Sequence, residues 1–216
     1  MSRPPAILVC FAVEEEAKPF RKIARDHSAI RILVTGIGQA NARQATKAAL
    51  NTNTLETVLT CGFAGGLNPD WPRGTVLLTA PEDFPHAARL VEAGARKGAF
   101  HCAERVLITA AEKQAAREAT GADAVEMESG EIWRVCGEAG IPCATARVIS
   151  DAAEETLPLD FNKLLKADLT LSRVALAKEL LKSPDRIPGL IRFQRNITEC
   201  AERLGTVLAN ALLPVI

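Results

Sequence analysis

Five stretches of this 216-residue chain join an apolar run to residues that could do chemistry at its end. AILVCFAV at 6–13 runs into Glu14, Glu15 and Glu16. The run at 30–35 ends in Gly36 and Gly38, and that at 57–61 in GFAGG at 62–66. AVEMES at 124–129 carries Glu126 and Glu128, and ARVISD at 146–151 carries Arg147, Ser150 and Asp151. Open α/β sheets bind ligands beyond the carboxyl ends of their strands, so residues far apart in the chain can converge there. Separated carboxylates beside an arginine suit heterolysis of a bond to a sugar carbon. Carboxylates stabilise the positive charge that builds on the sugar. One carboxylic acid can protonate the leaving group while another carboxylate takes a proton from an attacking water. A carboxylate can also fix sugar hydroxyls, in bonds that tighten in the transition state.

Each piece has an ordinary alternative. Acids opening a helix also complement its dipole. Glu126 and Glu128 share a face if they lie on a strand, and need not if they lie on a turn. Asp151 could cap a helix. The GIGQAN segment at 36–41 lacks the third glycine of a dinucleotide fingerprint. No acid closes the following strand, since Glu56 precedes it, and the pattern therefore argues against a nicotinamide cofactor. Its tight turn still lets backbone approach a ligand.

The elements that must position these residues alternate. Strands are expected at 6–13, 30–35, 57–61, 74–79, 105–109, 123–127 and 143–149, with helices at 14–26, 40–50, 111–119 and 129–139. Pro19, tolerated in a first helical turn, sets the first helix start near 15–18. Gly121 and Gly140 stop two helices. Residues 81–100 show no clear period and read as loop. From Phe161 onward the chain reads as helices, at 164–182, from Pro188, and at 197–213. This pattern predicts a three-layer α/β/α sandwich around a mixed, largely parallel sheet, with a helical C-terminal tail and residues 1–216 as one domain.

Composition narrows the class. Lys+Arg and Asp+Glu both number 26, so no general attraction for nucleic acid is expected. The six cysteines form no CxxC pair and the three histidines have no ligand spacing with them. We read the thiols as free and buried, expect no metal, and take the protein as cytoplasmic, without a transmembrane span.

Taken in order, FAVEEE at 11–16, TGIGQAN at 35–41, GFAGG at 62–66, AVEMES at 124–129 and ARVISD at 146–151 resemble the purine nucleoside phosphorylase and uridine phosphorylase superfamily. The resemblance is strongest to its methylthioadenosine/S-adenosylhomocysteine nucleosidases. It implies cleavage of the N-glycosidic bond of an adenosine-type nucleoside, with no cofactor, phosphate being the co-substrate if the reaction is phosphorolysis. It also implies a homo-oligomer, by analogy a dimer. Residue by residue, Glu16 matches the group that activates water, Asp151 the acid that protonates the purine at N7, and Arg147 an arginine near the nucleophile. Glu128 matches the carboxylate on the ribose hydroxyls, Met127 a residue packed on the ribose, and Ser150 the neighbour of the acid. Ala64 and Gly65 match backbone lining the base pocket.

The chain departs from those nucleosidases in carrying Phe63 where they carry serine, which alters the neighbourhood of the nucleophile. It is shorter between its first two strands and between 83 and 123, and Phe84 or Phe100 would have to replace the base-stacking aromatic. The GFAGG turn, AEKQ at 111–114 and the long tail are similar to hopanoid-associated phosphorylases, which implies a lipid-bearing nucleoside such as adenosylhopane. A shortened lid would leave room for it. Ile187, Leu190, Ile191 and Phe193 beside Arg192 and Arg195 are compatible with packing on the core or with contact to a membrane surface. Hydrolysis, phosphorolysis and nucleoside binding without catalysis all remain open to the sequence.

Overall fold

In the computed structural model, residues 6–52, 55–164 and 187–213 are described. The strands are β1 (Ala6–Phe11), β2 (Ile30–Val34), β3 (Leu55–Gly66), β4 (Val76–Thr79), β5 (Arg96–Lys97), β6 (Phe100–Cys102), β7 (Ala124–Glu126) and β8 (Cys143–Asp151). The helices are α1 (Glu14–Ala24), α2 (Gln39–Thr52), α3 (Ala87–Glu92), α4 (Ala110–Thr120), α5 (Ser129–Glu138), α6 (Phe161–Leu164) and α7 (Ile187–Leu212).

The sheet runs β2-β1-β3-β8-β4-β5, with β7 joined to β3 and β6 to β7. Pairings of β1 with β2 and β3, and of β3 with β8, are parallel; β4 on β8 and β7 on β3 are antiparallel. The sheet is therefore mixed, as expected. β1 and β8 are buried along their whole length, which accounts for the unbroken apolar run of β1. On one face Ala17 and Phe20 of α1, Leu90 of α3 and Leu204 and Leu208 of α7 pack on Val9, Phe11 and Leu59. On the other, Ala42 of α2 and Ile132 of α5 pack on Leu8, Cys10 and Val58. These are the two outer layers of the sandwich.

Several expectations are corrected. Residues 81–100 are not loop throughout: they hold α3 and β5 and lead into β6. Residues 105–109 form no strand; Thr109 instead caps α4, its hydroxyl accepting from the Glu112 N–H while Glu112 accepts from Thr109 N–H. α1 begins at Glu14, so Pro19 falls in its second turn. Packing overrides that local preference, because α7 lies so close that a Cβ on Gly205 would stand 3.1 Å from Phe20 N and 3.2 Å from Pro19 Cβ. The tail from Pro188 is one continuous helix, with proline tolerated in its first turn. The expected helix at 164–182 lies almost wholly outside the described residues.

Candidate active site

The strand ends open onto a cavity of about 410 Å³ lined by Glu16, Phe63, Ala64, Gly65, Met127, Glu128, Arg147, Ser150 and Asp151. All nine site residues expected from sequence are thus brought together. The remaining wall is mainly apolar: Val13 and Ile37, Val106 and Leu107, Leu157 and Phe161, and Phe193 and Ile197 of α7.

Glu16 sits in the first turn of α1 and is 4 % exposed. Its Oε2 accepts from Ala12 N (2.8 Å) and Val13 N (3.2 Å), and its Oε1 from Phe63 N (2.8 Å). The carboxylate therefore caps its own helix and reaches across to β3. A carboxylate has about four lone-pair sites, so three backbone donors leave room for about one more. Burial pushes this carboxyl from its ordinary 4.5 up to about 7, against the opposing pull of Arg147 and the Phe63 N–H.

Arg147 lies on β8 and is 2 % exposed. One guanidinium nitrogen, Nη2, stands 2.9 Å from Glu126 Oε2 and 3.0 Å from Glu128 Oε2, and donates to Thr60 Oγ1 at 3.2 Å. Nη1 donates to the Phe63 carbonyl at 3.0 Å. Residue 63 therefore holds both Glu16 and Arg147 through its backbone, whatever side chain it carries.

The two glutamates of AVEMES divide their work. Glu126 Oε2 accepts from Glu128 N and Ser129 N, and its Oε1 from the Ser129 hydroxyl, so it secures the start of α5. Burial raises its carboxyl, but Arg147 and these donors outweigh burial and hold it below the usual range. Glu128 accepts from Gly38 N at 2.7 Å, a donor presented by a turn in which Gly38 has φ +85°. Burial raises Glu128 above its ordinary value, with Arg147 opposing and Glu126 reinforcing. Glu126 was visible in the sequence only as the partner of Glu128; its anchoring of Arg147 emerges from the fold.

Asp151 ends β8. Its Oδ1 accepts from the Ser150 hydroxyl at 2.6 Å, and its Oδ2 lies 2.5 Å from Nζ of Lys113. No sequence signal singles out Lys113, since a lysine amid AAEKQ reads as a solvated helix position. The aromatic wall also differs from expectation. Phe84 is buried against the core and Phe100 packs near Ala64, Leu77 and Ile149. Phe161 and Phe193 line the cavity instead, with ring centroids 5.5 Å apart. Ile191, which the sequence offered for core or membrane contact, is exposed. No described helix is long and apolar enough to cross a membrane, and no metal-binding cluster occurs among the described residues.

Comparison with known proteins gives a consistent picture. The model of the phosphorylase superfamily matches residues 86–182. The chain is 28 % identical over 189 residues to the 5′-methylthioadenosine/S-adenosylhomocysteine nucleosidase of Geobacillus kaustophilus, covering 68 % of this chain and 80 % of that one. Its fold matches futalosine hydrolase of Helicobacter pylori with a TM-score of 0.71 at 17 % identity, over 96 % of this chain and 97 % of that one. It also matches the methylthioadenosine/S-adenosylhomocysteine nucleosidase of Colwellia psychrerythraea in complex with adenine, with a TM-score of 0.69 at 16 % identity, over 97 % and 96 % of the two chains.

Proposed function

We propose, because the phosphorylase superfamily model matches residues 86–182 and the chain is similar to a methylthioadenosine/S-adenosylhomocysteine nucleosidase, that it is a member of that superfamily which hydrolyses the N-glycosidic bond of an adenosine-type purine nucleoside and releases adenine. The observation that carries this reading is the state of Glu16. Its carboxyl, raised to about 7, borders the same cavity as Asp151 and Glu128 and keeps about one acceptor site for a water. A general base poised near neutral pH is what water activation needs.

In this reading Glu128 binds the ribose hydroxyls, and Met127 packs on the sugar. Asp151, steadied by Ser150, delivers a proton to purine N7 as the C–N bond breaks. Glu16 takes a proton from the attacking water, and Arg147 neutralises the carboxylates around it. Ala64 and Gly65 supply backbone to the base pocket.

Water suits the site better than phosphate. The cavity lining includes Glu15, Glu16, Glu126, Glu128 and Asp151 against Arg105 and Arg147. Arg147 is committed to Glu126 and Glu128, and Arg105 to Glu112. A phosphate anion would face acids without an uncommitted cation among the described lining residues. The apolar wall suits a nucleoside with an apolar 5′ substituent, adenosylhopane included. We also propose a cytoplasmic homodimer by analogy with the superfamily.

The test is adenine release from adenosine and 5′-methylthioadenosine, with and without phosphate. Release independent of phosphate is expected, and strict dependence on phosphate overturns hydrolysis. Asp151→Asn should cost about 10²–10⁴-fold in rate. Binding of these nucleosides without any release would leave a non-catalytic binding protein.

A further inference from the structure

Lys113 is unusual for a helix residue. It lies on α4, is fully buried, and its ammonium spends its donors inside the protein. Nζ donates to the carbonyls of Ala152 and Glu155, both at 2.8 Å, and stands 2.5 Å from Asp151 Oδ2. Two of the ammonium's three protons are aimed at those carbonyls, and the only charged partner of the three is Asp151, held as an ion pair. The arrangement is built: the Thr109–Glu112 cap fixes the first turn of α4, which sets the register of Lys113. Lys113 does not border the cavity, whereas Asp151 does.

A leaving-group acid must hold a proton when the bond breaks. Asp151 is already engaged by a hydroxyl on one oxygen and by an ammonium on the other. An ion pair and its neutral counterpart differ by one proton shifted between partners, with no change in net charge. Burial costs the charged pair more than the neutral one, which makes such a shift accessible when a purine occupies the cavity.

We propose that Lys113 is the positioning residue behind Asp151 and the source of the proton that Asp151 delivers to the departing purine. This rests on the hydrolase reading above. One proton passes from Lys113 Nζ to the Asp151 carboxylate, and one from Asp151 to purine N7. The electron pair of the C1′–N9 bond goes to the base. Water oxygen bonds to C1′ and its proton goes to Glu16. Afterwards Glu16 releases its proton to solvent, and Lys113 regains one through Asp151.

The charged groups around this pair are otherwise committed. Glu155 pairs with Arg73, and Glu112, beside Lys113 on α4, pairs with Arg105. Glu126 and Glu128 share Arg147. Cys200 of α7 donates to the Ile149 carbonyl, its thiol pushed by burial up to about 11.

The experiment measures kcat and KM from pH 5 to 10 with 5′-methylthioadenosine as substrate, in the wild type, Lys113→Met and Lys113→Arg, with thermal melts as the check on folding. Lys113→Met should lose about 10²–10³-fold in kcat, with KM within about threefold. The loss should be smallest at the acid end of the range, where solvent can supply the proton that the lysine no longer gives, and should grow with pH. Lys113→Arg keeps a cation, but a guanidinium does not release its proton, so kcat should stay depressed. Wild-type kcat should not fall across the alkaline half of this range. Arginine restoring wild-type kcat, a loss equal at every pH, or wild-type kcat falling above about pH 6 overturns the proposal. That last profile decides alone if neither variant folds. A wild type that releases no adenine overturns the hydrolase reading itself, an outcome distinct from the rest.

Discussion

Gly62 and Glu16 are fitted to each other so closely that a Cβ on Gly62 would lie 2.5 Å from Glu16 Oε1 and 2.7 Å from its Cδ. Gly62 also holds φ +136°, a conformation that other residues rarely adopt. Gly62→Ala should therefore displace the carboxylate from the Phe63 N–H. We expect a loss of about 1–3 kcal/mol in urea unfolding and at least a tenfold fall in adenine release. Gly137→Ala in α5 is the control: its added methyl meets nothing within 4 Å, so stability should hold or rise slightly.

Glu16 gives the activity a pH dependence of known sign. Its carboxylate is the form that accepts a proton from water, and its raised value of about 7 means that form fills as pH rises through neutrality. Rate should climb from pH 6 to 8. Glu16→Gln should lose about 10²–10⁴-fold and flatten that climb. A retained climb in the variant would assign it to another group.

The same shift bears on stability in the opposite direction. The folded carboxyl, at about 7, binds protons that the unfolded one, near 4.5, has released. This contribution is fully present below the unfolded value and is lost as pH rises through about 7, on the order of 3 kcal/mol. Chemical denaturation at pH 5 and pH 8 measures it. Glu16→Gln should remove this part of the difference.

Arg147 is the shared counter-ion of Glu126 and Glu128, which meet one guanidinium nitrogen at 2.9 and 3.0 Å. Arg147→Met leaves buried acids without their cation and should cost about 3–5 kcal/mol. Glu126→Gln keeps the shape and leaves Glu128 as partner, so its cost should be smaller. Urea midpoints for the two variants test the order.

Phe193→Ala removes one ring of the pair that walls the cavity beside Phe161. With an adenosine bearing a butylthio group at its 5′ carbon as substrate, KM should rise several-fold more than it does with adenosine itself, while kcat stays nearly unchanged. Equal changes for both substrates would move that wall away from the 5′ side.

What the sequence revealed and concealed follows from range. β1 and the middle of β3 are buried on both faces, so their apolar runs announce them, and the acids that follow β1 and end β8 stand out at once. β5 and β6, of two and three residues, owe their existence to the strands they pair with, and no local pattern in 81–100 declares them. Lys113 looks like a solvated helix residue until the segment after β8 folds over it. Nor does spacing distinguish Phe84 and Phe100, which serve the core, from Phe161 and Phe193, which line the cavity. That Phe63 holds Glu16 and Arg147 through its backbone is likewise something no side-chain pattern declares.

The packing of α7 over α1 has a consequence for biosynthesis. The cavity joins Ala12, Val13 and Glu16 to Phe193 and Ile197. The first strand and helix can emerge from the ribosome and find their neighbours early, yet the wall opposite them has still to be translated. Until residues 193–205 arrive, the face of α1 that receives Gly205 and the core beneath it stand uncovered, the state in which nascent chains aggregate or recruit chaperones. The pocket thus closes only late in synthesis, when α7 docks on the oldest part of the fold.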